Sequence, residues 1–226
     1  YDRGHMAPNA DMPTKAAQAD SFSLANMVPQ SPKNNQQVWR ELEEATRAIV
    51  TKQKHDVYVV TGPTFTGKKL KTIGDNKVIV PTSVFKAIYI PKTGAIGAYY
   101  APNDNSLKVK VVSICYLEEQ LGMNIFPQLT EEQKRNIYKL PLNANSVKVH
   151  QEIPYGNWDA ESQCAEDVEN SKLQAMQKQF SRTGGSTTDT AQTKPNAGAV
   201  VDANTQDAIV KQLIESLLQY ILQLLK

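Results

Sequence analysis

The sequence predicts an α+β protein in which helices flank a mainly antiparallel sheet. Three observations support this class. Strand-like runs dominate the middle of the chain, helical patterns precede and follow them, and the regular strand–helix alternation of parallel sheets is missing. The chain has 226 residues, of which 40% are hydrophobic and 21% charged, so it is long enough for one medium domain with a buried core.

The first long helix is predicted to begin near Asn35. Its apolar residues recur at spacings of three and four, as in an amphipathic helix: Val38, Leu42, Ala45, Ile49 and Val50. Either Asn34 or Asn35 is expected to cap its start, because asparagine side chains accept hydrogen bonds from the open N–H groups of a first turn. Before this helix, residues 21–29 are predicted to form a short extended segment.

Strand-like runs follow this helix and are separated by turns that contain proline or glycine. They cover residues 56–61, 77–80, 83–90, 95–100 and 107–113. The dipeptide Gly62-Pro63 is expected to end the first run. A helix is predicted over Ile114–Leu121, stopped by Gly122, and another is expected to start at Thr130, where Thr-Glu-Glu-Gln forms a capping-box pattern.

The composition divides the chain into four parts. We predict a globular domain over residues 1–165, its tail over 166–180, a flexible linker over 181–206 and an amphipathic helix over 207–226. The apolar residues of that helix follow a coiled-coil spacing: Val210, Ile214, Leu217, Ile221 and Leu224. We expect it to dock on the domain of the same chain or to form a homo-oligomer with a second copy. Binding to a membrane surface is disfavoured because its polar face has few Lys and Arg residues.

Charge and cysteine content place few limits on function. The net charge of +2 neither requires nor excludes a nucleic-acid partner, so phosphate-binding cations would have to be clustered. No run reaches the roughly 18 uninterrupted apolar residues of a membrane span. Cys115 and Cys164 are too far apart for a Cys-x-x-Cys motif. They are either two unrelated buried thiols or one disulfide, which would require an oxidising compartment.

The first candidate site residues lie at the start of the chain, in the sequence Asp2-Arg3-Gly4-His5. Arginine has planar donors that match a phosphate, and histidine is the side chain best able to take a proton near neutral pH. Glycine permits the close approach of a ligand. This combination suits phosphodiester chemistry. Asp2 is expected to orient Arg3 or nearby backbone as a hydrogen-bond acceptor rather than to bind a metal.

A second group of candidates lies on the first predicted helix. Its members recur every four residues and therefore share one helical stripe: Asn35, Trp39, Glu43 and Arg47. The amide oxygen and the carboxylate of this stripe suit Mg²⁺, a hard ion that keeps several of its waters, and the guanidinium suits a phosphate. Trp39 is expected to anchor the helix in the core. The alternatives are a helix cap for Asn35 and a surface ion pair between Glu43 and Arg47.

Three motifs occur in order near the start of the chain. They are Asp-Arg-Gly-His-x-Ala-Pro from Asp2, Leu-x-Asn-x-x-Pro-Gln from Leu24 and Asn-x-x-x-Trp-x-x-Leu-Glu from Asn35. Together they resemble the DNA/RNA non-specific endonucleases, the family of Serratia nuclease and mitochondrial endonuclease G. The segment from Val80 to Tyr89 also resembles a core strand of this family, and the resemblance covers about residues 1–140.

The resemblance implies a ββα-metal fold and a sugar-nonspecific endonuclease that depends on Mg²⁺, with Mn²⁺ as the alternative. Its partners would be DNA and RNA, bound through phosphates, and its products would carry 5′-phosphates. The rival hypothesis is an inactive nucleic-acid-binding or assembly protein that keeps the fold. We expect the enzyme to be secreted or periplasmic, with an organelle as the alternative. We also expect further residues before Tyr1, because family members have bracing strands and another phosphate-binding arginine upstream.

The resemblance also assigns roles to individual residues. His5 would be the general base, Asn35 the metal ligand and Glu43 the residue that holds metal-bound water. Arg3 would assist catalysis through its contact with phosphate. Two further residues would bind substrate, Arg47 by contacting phosphate and Asn26 by lining the site. His55 and His150 receive no role.

Overall fold

The computed structural model describes residues 1–165, which contain ten strands and four α-helices. The first elements are β1 (Asp2–His5), α1 (Lys15–Asp20) and β2 (Met27–Gln30), followed by a long helix whose middle part is α2 (Arg40–Ala48). The next five strands are β3 (Tyr58–Thr64), β4 (Thr72–Ile73), β5 (Val78–Ile79), β6 (Ser83–Ile90) and β7 (Ala95–Pro102). The last elements are β8 (Lys110–Val112), α3 (Ile114–Leu121), α4 (Glu131–Lys134), β9 (Asn136–Tyr138) and β10 (Tyr155–Trp158).

The main sheet has four antiparallel strands in the order β3-β6-β7-β8. Three two-stranded antiparallel ribbons accompany it, β1 with β2, β4 with β5 and β9 with β10. Mainly antiparallel pairing with flanking helices agrees with the predicted α+β class.

Both faces of the main sheet are covered. Because side chains alternate along a strand, successive residues of β6 and β7 enter different cores. On one face, Ile88 and Tyr99 pack with Trp39 and Leu42 of the long helix. The other face carries a second core, whose members come from both sheet and α3: Phe85, Ala87, Ile96, Ala98, Ile114, Leu117 and Leu121.

The long helix begins earlier than the sequence predicts. Pro32 and Lys33 are already helical, and the Asn35 N–H donates to the Ser31 carbonyl at 2.8 Å. Proline suits a first helical turn, since its missing N–H would have no intrahelical partner there. The predicted cap at Asn34 or Asn35 is therefore wrong, and both side chains bond elsewhere.

Two π-helical segments flank α2 within this helix, Asn34–Trp39 and Ile49–Gln53. Their hydrogen bonds reach five residues back rather than four, an arrangement that is found frequently at functional sites. The helix ends at Lys54, which adopts a left-handed conformation with φ 56°.

Several local predictions agree with the structure. The bounds of β6 and α3 are those predicted, and Gly122 ends α3 with φ 63°. Thr130 caps α4 in a capping box with Gln133. By contrast, β3 runs through Gly62-Pro63 to Thr64, so the predicted stop is wrong. Pro63 has no N–H to donate to a neighbouring strand. It is tolerated because β3 is an edge strand, whose outer side has no strand to pair with.

Of the two alternatives for the cysteines, buried free thiols or one disulfide, the structure contains the disulfide. Cys115 of α3 is bonded to Cys164, which follows β10. It ties the end of the described region to the helix beneath the main sheet. The predicted tail, linker and terminal helix over 166–226 lie outside the described residues. Within residues 1–165, no helix has the length and apolarity needed to span a bilayer.

Candidate active site

Strand β1 is held against β2 at a point where only glycine fits. Gly4 pairs with Val28, and a Cβ built on Gly4 would lie 1.9 Å from Oε1 of Gln30. Gln30 is fully buried, so it cannot swing into solvent to make room. The glycine between Arg3 and His5 is thus required by packing against β2, in addition to any need for ligand access.

A chain of side-chain amides links this ribbon to the main sheet. Gln30 Nε2 donates to Asn34 Oδ1 at 2.5 Å, and Asn34 Nδ2 donates to the Pro102 carbonyl at 2.9 Å. Gln30 and Asn34 are buried, and an amide hydrogen bond inside the protein is worth more than one at the surface. The chain fixes β2, the start of the long helix and the end of β7 relative to one another.

His5 has the environment of a proton acceptor. It is half-buried, the ring of Phe22 meets it edge-on at 4.7 Å, and its Nε2 atom is buried without a hydrogen-bond partner in the described structure. Burial lowers the pKa of His5 below 6.5, which favours the neutral imidazole. A neutral imidazole can accept a proton from water.

Arg3 shares a face of β1 with His5. Side chains two residues apart in a strand point to the same side, whereas Asp2 and Gly4 point to the other. Arg3 is exposed, as a residue that contacts a large polyanion must be. The strand therefore offers a guanidinium beside the candidate base.

Asn26 braces the backbone that follows His5. Its Nδ2 donates to the carbonyls of Ala7 and Ser21, each at 2.9 Å, and its Oδ1 accepts from the Ala7 N–H at 2.8 Å. The side chain thus holds the loop after β1 next to the start of β2. Direct contact between Asn26 and substrate stays a prediction.

Asp2 joins the strand to the long helix. Its Oδ2 accepts from Asn35 Nδ2 and from Gln36 Nε2, both at 2.9 Å, and these bonds lower the pKa of Asp2, with that from Asn35 contributing most. Sequence reasoning expected Asp2 to orient Arg3 or backbone, and instead it orients two helix side chains. Because a carboxylate accepts only from the amide nitrogen, the Asn35 Oδ1 is directed away from Asp2 and is available to a cation.

Glu43 and Arg47 lie about two and three turns beyond Asn35 in the same helix. Arg47 Nε is 2.5 Å from Oδ1 of Asp11, an ion pair between partly exposed side chains. Burial raises the pKa of Glu43 to about 7, and the Lys86 cation opposes that rise. The alternative of a surface ion pair between Glu43 and Arg47 is not the arrangement found, because Arg47 pairs with Asp11.

Trp39 is the core anchor that the sequence predicts, with 1% of its surface exposed. The Lys86 ammonium lies 5.3 Å from the centre of its ring. Sequence reasoning missed Lys86 and Asp11. The sequence does contain a signal for Lys86, because it is a charged residue on the same face of the predicted strand as the apolar Val84 and Ile88. Asp11 has no comparable local signal, since its partner is 36 residues away.

The residues present fit a hard divalent cation with few protein ligands. Among residues 1–165, no group of three or more His, Cys, Asp or Glu side chains could enclose a metal. Asn35 offers one oriented amide oxygen, and Glu43 lies two helical turns later with a carboxylate for a bound water. Mg²⁺ keeps several of its waters and needs few protein ligands, so this donor set suits it.

Comparison with known proteins identifies a family model and several relatives that match this chain. The family model for DNA/RNA non-specific endonucleases matches residues 1–132. Mitochondrial nuclease EXOG of Danio rerio is 37% identical over 153 residues, which is 59% of this chain and 44% of that protein. A nuclease of a Nostoc species is 35% identical, covering 61% and 54%, and human mitochondrial endonuclease G is 34% identical, covering 57% and 49%. The chain thus spans about half the length of these relatives.

The fold has a solved counterpart. The crystal structure of the EndoG/EndoGI complex matches with a TM-score of 0.52 and 29% identity, covering 60% of this chain and 62% of that chain. The match agrees with the expected ββα-metal fold. The family model covers more than half of the 226 residues and includes every candidate residue on β1 and the long helix. The protein therefore belongs to the DNA/RNA non-specific endonuclease family.

Proposed function

We propose that this protein is a metal-dependent, sugar-nonspecific endonuclease that hydrolyses phosphodiester bonds of DNA and RNA and leaves 5′-phosphate ends. The observation that carries the proposal is the buried, unpartnered Nε2 atom of His5 on the strand that also presents Arg3. Asp2 of that strand holds the Asn35 amide, which connects the candidate base to a candidate metal ligand. Family membership and relatives named as nucleases support the activity.

His5 would accept a proton from the attacking water through its neutral imidazole. The lowered pKa of His5 keeps the ring neutral and ready for this step near neutral pH. Arg3, on the same face of β1, would bind a phosphate oxygen and stabilise the charge that develops there. Arg47, held by Asp11, would bind a second phosphate position. Asn26 would keep the loop after His5 in place along the substrate.

Asn35 would hold the metal through Oδ1, and Glu43 would hold a metal-bound water through its carboxylate. Bound Mg²⁺, or Mn²⁺ in its place, supplies positive charge that polarises the phosphate and stabilises the leaving 3′ oxygen. Contacts to phosphate and metal carry no base information, so we expect little sequence preference.

We also propose an oxidising compartment as the site of action. The disulfide between Cys115 and Cys164 supports a secreted or periplasmic protein, because such bonds are rare where thiols are kept reduced. The mitochondrial relatives support an organelle as the alternative. Docking or self-association through residues 207–226 remains a prediction.

A plasmid-nicking assay tests the proposal. We compare the wild-type chain with His5→Asn in Mg²⁺, in Mn²⁺ and in chelator. His150→Asn is the matched control, since His150 is exposed and asparagine tolerates its left-handed backbone with φ 58°. We expect the wild type and the control to nick DNA only with metal, and His5→Asn to lose at least about a hundredfold in rate. Near-normal nicking by His5→Asn would exclude His5 as the base, and no nicking by the wild type would favour the non-catalytic alternative.

A further inference from the structure

The connection between β3 and β6 carries a concentrated positive charge. Residues 66–79 form a lysine hairpin that contains β4 and β5, and its four lysines are all exposed: Lys68, Lys69, Lys71 and Lys77. Its one acidic residue is Asp75, so the hairpin has a formal charge of +3, whereas the whole chain has +2. A protein that is nearly neutral overall needs such a cluster of cations to attract a polyanion.

The lysines of the hairpin are not neutralised by carboxylates. Within residues 1–165, the four ion pairs are formed by other side chains. Asp104 lines the same cavity of about 310 Å³ as Lys71, but its Oδ1 accepts from the Ser106 N–H at 2.8 Å, and the local charge stays positive. Exposed lysines can also protect a strand edge from pairing with other chains, which is the alternative explanation. That role requires no particular position relative to the candidate active site.

A contact between Lys71 and Tyr1 places the hairpin beside β1. Lys71 Nζ lies 4.9 Å from the centre of the Tyr1 ring, a cation–π contact that leaves the charge of the lysine intact. Tyr1 directly precedes β1, and because side chains alternate along a strand, it lies on the same side as Arg3 and His5. One row of side chains therefore leads from His5 past Arg3 to Tyr1 and on to Lys71.

The length of this row sets the distance between the hairpin and the candidate base. At about 3.3 Å per residue, Tyr1 is about 13 Å from His5 along the strand. Phosphates of one DNA strand follow each other about every 3.4 Å along the duplex axis. A duplex that lies along the row would therefore bring a phosphate to Lys71 about four nucleotides from the phosphate at His5.

The backbone of the hairpin is fixed at both ends. The Thr66 N–H donates to Thr82 Oγ1 at 2.9 Å, and the Val80 N–H donates to the Lys71 carbonyl at 2.8 Å. Between these bonds, β4 and β5 pair in antiparallel register. Because the backbone is already ordered, binding would have to order only the lysine side chains, which lowers its entropic cost.

We propose that the lysine hairpin is a second binding site for the nucleic-acid backbone, at which Lys68, Lys69 and Lys71 contact phosphates about four nucleotides from the cleaved one. The site acts through charge, so it adds affinity without base preference. The proposal rests on the proposed function, which supplies the nucleic acid and the position of the cleaved phosphate.

The salt dependence of DNA binding tests this site without cleavage. The full chain that carries His5→Asn is titrated in chelator with a labelled duplex of about 20 base pairs, between about 50 and 200 mM salt. The hairpin variant has Lys68, Lys69 and Lys71 changed to Gln. Each lost phosphate contact lowers the slope of log affinity against log salt by about 0.9, so we expect this variant to lose about 2 to 3 from the slope.

The matched control removes the same charge from exposed positions outside the hairpin, by changing three lysines to Gln: Lys92, Lys139 and Lys148. Lys92 follows β6, at the end of the main sheet opposite to the hairpin. The control should lose less than about 1 from the slope. Arginine at the three hairpin positions should keep the slope of the parent, because it keeps the charge.

The melting temperature of each variant is compared with that of the parent. If the triple hairpin variant unfolds, Lys71→Gln alone replaces it, with an expected loss of about 0.9 from the slope. A hairpin variant whose slope changes no more than that of the control would overturn the proposal.

Cleavage kinetics in Mg²⁺ give a second test, with the hairpin substitutions made in the wild-type chain. We expect KM for long DNA to rise about tenfold and kcat to change less than about twofold, because the hairpin binds substrate and transition state alike. A fall in kcat with an unchanged KM would contradict a binding role. If the wild type does not cleave DNA, the proposed function fails and the salt slopes still decide the hairpin site. If it cleaves DNA and the slopes do not differ, only the hairpin site fails.

Discussion

Removing the Glu43 carboxylate should change how the stability of the protein depends on pH. Burial raises the pKa of Glu43 from 4.5 to about 7 in the folded protein. Between these values the folded state keeps a proton that the unfolded chain has released. The stability contributed by this group is therefore fully present below pH 4.5 and is lost as the pH rises through about 7. At about 1.4 kcal/mol for each pKa unit, the loss amounts to about 3 kcal/mol.

Urea unfolding of wild type and Glu43→Gln between pH 4 and pH 8, in chelator, measures this effect. The free energy of unfolding of the variant minus that of the wild type should increase by about 3 kcal/mol across this range. Only the change with pH is used, because the substitution also alters the packing around residue 43, and that effect is the same at every pH. Glu44→Gln is the control, and its curve should run parallel to that of the wild type, since Glu44 is exposed. A difference for Glu43→Gln that stays flat within about 1 kcal/mol would refute the reasoning.

Three other predictions concern β1 and the substrate. Gly4→Ala should lower the free energy of unfolding by about 1–3 kcal/mol, because the added methyl meets buried Gln30, and an unchanged melting temperature would contradict this. Asp2→Ala should raise the Mg²⁺ concentration for half-maximal cleavage about tenfold, because the Asn35 amide loses its orienting acceptor, and an unaltered requirement would argue against Asn35 as ligand. Binding of DNA should weaken linearly in a log–log plot against salt, and a flat plot would be inconsistent with recognition through phosphates.

Elements with strong local signals could be predicted from the sequence. Strand β6 alternates between two apolar faces, and α3 ends at a glycine that adopts a left-handed conformation, so both were found with their bounds. The stripe from Asn35 to Arg47 was also found, because its spacing is a property of the helix alone. The motif that begins at Asp2 lies on one strand, which carries the candidate base His5 and the arginine Arg3.

What the sequence could not provide were partners that the fold brings from a distance. Asp11 pairs with Arg47, and Asp2 accepts a hydrogen bond from Asn35. In each pair the partners are more than thirty residues apart in the sequence, so no local pattern predicts either bond. The long helix begins earlier than its sequence indicates, because Asn34 and Asn35 are typical helix caps. In the structure their side chains instead form tertiary hydrogen bonds, Asn34 with Gln30 and Asn35 with Asp2. The ribbon of β9 and β10 also depends on pairing between distant segments.

The amide chain from Gln30 through Asn34 to the Pro102 carbonyl has a consequence for cooperativity. A ribbon as short as that of β1 and β2 is marginally stable by itself and would normally fray before the rest of a domain. Here β2 is linked through Asn34 of the long helix to the end of β7, a central strand of the main sheet. We therefore expect the amides of β1 to exchange their hydrogens only when the sheet itself opens. Heat should then inactivate the enzyme and unfold the sheet in a single transition.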